Sequence, residues 1–231
     1  MFDAGNALWS EQELAENTQG KVIIEAMNLL GYDAMAIGNL DLRLGPEVLR
    51  QRISEAKFPI LSANVALADS AELLAQPYVI RKVGGCQVGI IGLTSDLAKL
   101  TLGEAGQPYS ILTANDVLPK YVAELSKKTN LIVVLSNMGL DEDQRLSSQV
   151  PGIDLIVGGR TNVELEEGWA NEQTGTVVVQ AGHKGGWLGR CALHLDGAGE
   201  VTEHSCSLFF LTDEYADDAE MQAFLDSYPV Q

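Results

Sequence analysis

Five short loops in the sequence carry asparagine where chemistry could be done: "DAGN" (residues 3–6), "GNLD" (38–41), "SAN" (62–64), "LSNMG" (135–139) and "GGRTN" (158–162). The carboxylates of Asp3 and Asp41 and the amides of Asn6, Asn39, Asn64, Asn137 and Asn162 are hard oxygen donors of the kind that share a cation. Arg160 offers a forked cation of the kind that holds phosphate or sulfate. Each asparagine also has a plainer reading, because its side chain tolerates left-handed backbone and closes turns. Their common position, each after a stretch that reads as a strand, sets the five apart.

Those stretches must position the loops. "SEQELAENTQGKVIIEAMNLLGY" has a polar start, apolar residues at helical spacing and Gly31 as a stop. "DAMAIGN" reads as a short buried strand. "GPEVLRQRISEA" is a helix with Pro46 in its first turn, and "FPILSAN" a strand running into a loop. "PYVIRKVGGCQVGIIGLTS" predicts a hairpin around Gly84 and Gly85 whose second arm is apolar enough for burial on both faces. A helix in "ANDVLPKYVAELSKKT", a strand in "NLIVVLSNMG", a short helix in "DEDQRLSSQV" and a strand in "GIDLIVGGRTN" follow. "TVVVQAG", "WLGRCALHLD" and "VTEHSCSLFFLT" close the chain as antiparallel strands. Helices alternating with apolar strands give an α/β class with an antiparallel addition. With no repeat and no linker, residues 1–231 read as one domain, and 213–231 as a C-terminal helical tail.

Composition narrows the partners. A net charge of -17 on 231 residues argues against nucleic-acid backbones and anionic membrane surfaces. No apolar run is long enough for a membrane span. "MFDAGN" shows neither a basic nor an apolar leader segment, so no signal peptide is read in the chain, and its localisation stays unassigned. Cys86, Cys191 and Cys206 form no metal-binding pair of the CxxC kind. Alternation puts Cys191 and Cys206 on one apolar face of the hairpin joined by "DGAGE", where buried free thiols are expected. His183, His194 and His204 read as surface or satisfied structural side chains.

Several blocks in order carry a resemblance: "VIIEAMNLLGYDAMAIGN", "FPILSANV", "VGIIGL", "LIVVLS", "VPGIDLIVGG" and "VVVQAGHKGGWLGR". Together they resemble the N-terminal calcineurin-like metallophosphoesterase domain of the 5'-nucleotidases over nearly the whole chain. The resemblance implies a four-layer α/β/β/α sandwich, here truncated at its N-terminal strand and without the second domain that recognises the nucleoside. It also implies two divalent metals held by Asp, Asn and His, and attack on a phosphate ester by a metal-bound hydroxide.

At the matching positions this chain departs from the family's motifs. Asn6 stands where D-A-G-D has its bridging carboxylate, and Asn39 matches the metal-binding Asn of G-N-H-E. Leu40 replaces the catalytic His of that motif, with Asp41 beside it. Asn137 replaces the single His of L-x-H-x-G, and Arg160 with Asn162 replace the two imidazoles of G-H-T-H. Four positive charges would meet neutral amides and a guanidinium, so repulsion replaces attraction.

Neither a metal nor any other cofactor is therefore expected, and the reading is a pseudoenzyme kept for binding, scaffolding or a subunit role. Arg160 is expected to fill the vacated space by pairing with Asp3 or Asp41, or else to hold an anion. The alternative reading is an active phosphoesterase with one divalent cation among Asp3, Asn6, Asn39, Asn137 and Asp41. The sheet edge near Phe2 and Gly5 is expected to pair with another chain, with a second copy, or with an upstream part of the precursor.

Overall fold

The computed structural model describes residues 1–197 and 199–228, so Ala198 of the "DGAGE" turn and residues 229–231 of the tail lie outside the description. In chain order the elements are β1 (Phe2–Asp3), α1 (Glu13–Asn17), α2 (Lys21–Leu30), β2 (Ala34–Ala36), α3 (Pro46–Glu55), β3 (Ile60–Leu61), β4 (Val65–Leu67), β5 (Tyr78–Val83) and β6 (Cys86–Thr94). There follow α4 (Ala98–Leu102), β7 (Tyr109–Ile111), α5 (Ala114–Leu125), β8 (Leu131–Asn137), α6 (Leu140–Gln149), β9 (Leu155–Gly158), β10 (Trp169–Ala170), β11 (Val177–Gln180), β12 (Trp187–Leu195), β13 (Val201–Phe210) and α7 (Ala219–Asp226).

Two sheets face each other. One has the order β1-β2-β3 and is parallel; the other has the order β10-β11-β9-β8-β6-β5, with parallel pairing from β11 to β6 and antiparallel strands at both edges. The two-residue period of the strands sorts their side chains into three cores. Ala34, Ala36 and Leu61 meet Val88, Ile90, Leu131, Val133 and Leu135 between the sheets. Met35, Ile37 and Ile60 point the other way, into a core shared with Ile24 and Met27 of α2 and Leu49 of α3. Ile91, Leu93, Ile132 and Val134 leave the far side of the larger sheet to pack on Leu118 and Val122 of α5 and Leu146 of α6. Three cores between successive layers make the four-layer α/β/β/α arrangement that the resemblance implies.

Close approach of the sheets depends on one position. A Cβ added to Gly92 would lie 2.5 Å from the Leu61 carbonyl oxygen, and the Gly92 carbonyl accepts a 2.8 Å hydrogen bond from the Ala63 N–H. The sheets touch backbone to backbone there, which holds the loops after β2 and β8 near one another.

Three local expectations change. The long first helix is two, because Gln19 (φ 50°) and Gly20 (φ 76°) adopt left-handed backbone between α1 and α2. Among the described residues of the tail only Ala219–Asp226 are helical, and the Tyr228 hydroxyl donates to the Glu25 carboxylate of α2. Cys191 and Cys206 are not free thiols: they stand directly opposite in the β12–β13 pair, 4.0 Å apart at Cα, and are joined by a disulfide. Direct opposition on one face brings two sulfurs within bonding reach, which alternation alone did not fix. Cys86 is free.

Candidate functional site

Asp41 organises the site. It opens a 3-10 turn, Asp41–Leu44, right after the loop that leaves β2, and it is fully buried. One carboxylate oxygen accepts the N–H groups of Asn6 and Gly38, both at 2.8 Å; the other accepts those of Leu8 at 2.9 Å and Trp9 at 3.3 Å. Burial pushes its pKa up, while the four N–H groups pull against that. Both oxygens are thus spent on tying the loop after β1 to the loop after β2. The two loops interlock so closely that a Cβ at Gly38 would lie 2.1 Å from the Asn6 amide oxygen.

The amides form a chain on this platform. Asn6, in left-handed backbone (φ 69°), accepts the Leu40 N–H on its side-chain oxygen at 2.8 Å and donates its Nδ2 to Asn39 Oδ1 at 3.1 Å. The Asn39 N–H donates to Asn137 Oδ1 at 2.9 Å, and Asn137 Nδ2 donates to the Ala4 carbonyl at 3.0 Å. Asn6, Asn39 and Asn137, from three different strand ends, therefore satisfy one another and the adjacent backbone. Asp3 stands beside them with one oxygen on the Gly5 N–H at 2.7 Å. Its carboxyl is pushed up to about 7, first by burial and further by the Asp41 charge, against the pull of that N–H.

The other sequence candidates fall around this centre. Asn162 is exposed in left-handed backbone (φ 58°) outside the amide chain. Leu40 is half-buried and contributes its N–H to the network. Asn64 is apart: fully buried, it donates to the carbonyls of Thr94 at 2.7 Å and Leu112 at 3.0 Å, closing a structural loop. Arg160 does not pair with Asp3 or Asp41. Its left-handed backbone (φ 73°) aims the guanidinium at the start of α6, where Nη1 donates to the Met138 carbonyl at 2.8 Å. His183 and His194 are exposed or nearly so, and His204 is half-buried on β13.

The residues present do not fit the two cations that the resemblance implies. Asn6, which the resemblance sets at the bridging position, is an amide that hydrogen-bonds a neighbouring amide, and both Asp41 oxygens already receive N–H donors that a metal would have to displace. Neutral amide oxygens without several carboxylates are weak ligands for hard cations. Among the described residues no group of three or more His, Cys, Asp or Glu stands together in a metal-holding arrangement.

One cluster beside the site is absent from the sequence reading. Asp143 of α6 is fully buried, accepts the Ser136 hydroxyl on one oxygen, and lies against Gly158 at the end of β9. Its place in the acidic run "DEDQRL" reads as a solvated helix face. The signal was the period: Asp143, Leu146, Ser147 and Val150 fall at i, i+3, i+4 and i+7, one buried stripe.

No family model matches the chain. A snake venom 5'-nucleotidase of Gloydius brevicauda is 31% identical over 235 residues, spanning 92% of this chain and 40% of that protein. The crystal structure of a 5'-nucleotidase precursor from Thermus thermophilus superposes with a TM-score of 0.88 at 30% identity, over 98% of this chain and 48% of that one. The calcineurin-like phosphoesterase YfkN of Bacillus subtilis shares the fold, with a TM-score of 0.80 at 22% identity over 97% of this chain and 82% of that one. The chain thus spans less than half the length of the 5'-nucleotidases it matches. Its homologues are 5'-nucleotidases and calcineurin-like phosphoesterases, and its structural neighbours match the N-terminal domain of that family.

Proposed function

We propose that this chain is a 5'-nucleotidase-like domain in which a hydrogen-bonded amide lattice stands in place of a dinuclear metal centre. It does not hydrolyse phosphate esters and serves as a binding or scaffolding module or as the subunit of a complex. The observation that carries this reading is the Asn6 Nδ2 to Asn39 Oδ1 bond, because it puts a neutral donor where a bridging anion would be needed. A hydroxide nucleophile near neutral pH requires a cation to lower the pKa of its water, and the half-buried Leu40 side chain offers no proton or charge to a developing oxyanion.

The test is hydrolysis of p-nitrophenyl phosphate and of AMP by the purified chain with Mn2+, Zn2+ or Mg2+ supplied. The expected rate is that of the buffer with metal alone. Turnover that a chelator abolishes and that Asn39→Ala lacks would replace this reading with that of a phosphoesterase using an altered metal site.

A further inference from the structure

Beneath the loop of residues 158–163, three strand ends and one helix close over a single carboxylic acid. Asp143 has no exposed surface. One of its oxygens accepts the Ser136 hydroxyl from the end of β8, and that same hydroxyl oxygen accepts the Met138 N–H at 3.2 Å. The other oxygen, Oδ2, has no hydrogen-bond partner among the described residues. It lies over Gly158, where an added Cβ would be 2.5 Å from Oδ2 and 3.4 Å from the Val179 carbonyl of β11.

Gln180, the next residue on β11, is buried and ties the loop down. With its amide turned to satisfy both ends, its oxygen accepts the N–H groups of Asn162 at 3.0 Å and Val163 at 3.1 Å, and its nitrogen donates to the Thr161 hydroxyl. Thr161 Oγ1 in turn accepts the Leu140 N–H at the start of α6 at 3.1 Å. Neither orientation of the Gln180 amide brings a donor to Asp143 Oδ2.

The charged groups around it offer no compensation. On its own helix Glu142 is a like charge and is tied to Arg145, which also donates to Gln149. Arg160, from the loop above, is held on the Met138 carbonyl. The strands contribute a hydroxyl from β8, bare backbone from β9, and an amide and a carbonyl from β11. An ionised carboxylate there would leave a fully buried oxygen without donor or counter-charge among the described residues, whereas a neutral acid carries its own proton into the space above Gly158.

We propose that Asp143 is a proton-controlled latch: as the neutral acid it lets β8, β9 and β11 close over it and keeps the loop of residues 158–163 shut, and its ionisation opens that loop. The loop carries Arg160 and Asn162, so the latch governs access to the rim of the candidate site. Burial, the largest cause, pushes the Asp143 carboxyl up to about 8, with Glu142 adding to the rise and the Ser136 hydroxyl opposing it. In an opened loop the carboxyl returns to water and to its ordinary value of 3.8. The open form therefore binds fewer protons between those values, and its share rises with pH through that window and levels off above it.

The experiment is NMR of the whole chain from pH 5 to 9. After correction for base-catalysed exchange, protection of the Leu140, Asn162 and Val163 amides is expected to fall by up to about tenfold for each pH unit up to about 8. Amides in the middle of β8 should show no such slope. Asp143→Asn mimics the neutral acid and is expected to give protection independent of pH. Should that variant not fold, the carboxyl carbon of Asp143 in the unaltered chain decides alone: titration near 8 supports the latch, and titration below 5 overturns it. Protection that is flat with pH in the unaltered chain, or equally steep in Asp143→Asn, also overturns it.

Discussion

Asp41 accepts four N–H groups from two loops, and among the described residues none of those donors has a second partner of comparable quality. Asp41→Ala would strand buried donors at the crossing of the loops, and we expect it to cost roughly 3–5 kcal/mol in urea denaturation, more than truncating an apolar residue of similar size on the surface. For Asp3 the stabilising form is the protonated one. Its folded value of about 7 lies above the ordinary 3.8, so its contribution is complete below pH 4 and is lost as pH rises to about 7. Asp3→Asn should accordingly leave stability near pH 4 almost unchanged and raise it at pH 8, read as the difference between the two denaturation midpoints. The sequence reading put Asp3, Asn6, Asn39 and Asn137 at or just after strand ends, which is where the structure has them. It could not show that Asn6, Asn39 and Asn137 bond to one another, or that Arg160 turns to the Met138 carbonyl. Those outcomes depend on left-handed backbone at Asn6 and Arg160, which aims side chains in ways that residue type and spacing do not encode.

Strands β2, β6 and β8 each divide their side chains between two cores, so every residue in their middles is committed. That is why their apolar runs are legible in the sequence as doubly buried strands. Gly92 was not legible, because a glycine in a strand can mark a bulge, a bend or a close approach with equal ease. Here it is a close approach, and Gly92→Val should force the sheets apart at Leu61, lowering the thermal midpoint by several degrees or leaving the chain insoluble. The β12–β13 pair carries a covalent tie that the sequence reading missed. Thiol labelling of the denatured, unreduced chain is expected to find one reactive cysteine, Cys86, and three after reduction. Closing a loop across 15 residues contributes about 3 kcal/mol through the unfolded chain, so reduction should lower the denaturation midpoint measurably.

Over the whole molecule the layers are what the sequence made plainest, because helix and strand periods alternate with few interruptions and the three cores follow from them. Less legible was where polar groups would be buried. Asp143, Ser136 and Gln180 carry no motif, and only the finished packing of α6 on β8, β9 and β11 brings them together. The fold retains the architecture of its 5'-nucleotidase homologues, while the polar groups at the strand ends are turned inward to satisfy one another. A chain of net charge -17 attracts cations in general, so loose surface binding must be separated from a built site. Elemental analysis after equilibration with Mn2+, Zn2+ and Fe2+ and exhaustive buffer exchange makes that separation. We predict well under one equivalent of metal retained per chain, whereas about two equivalents held through the exchange, as a dinuclear hydrolase would hold them, would contradict the amide-lattice reading outright.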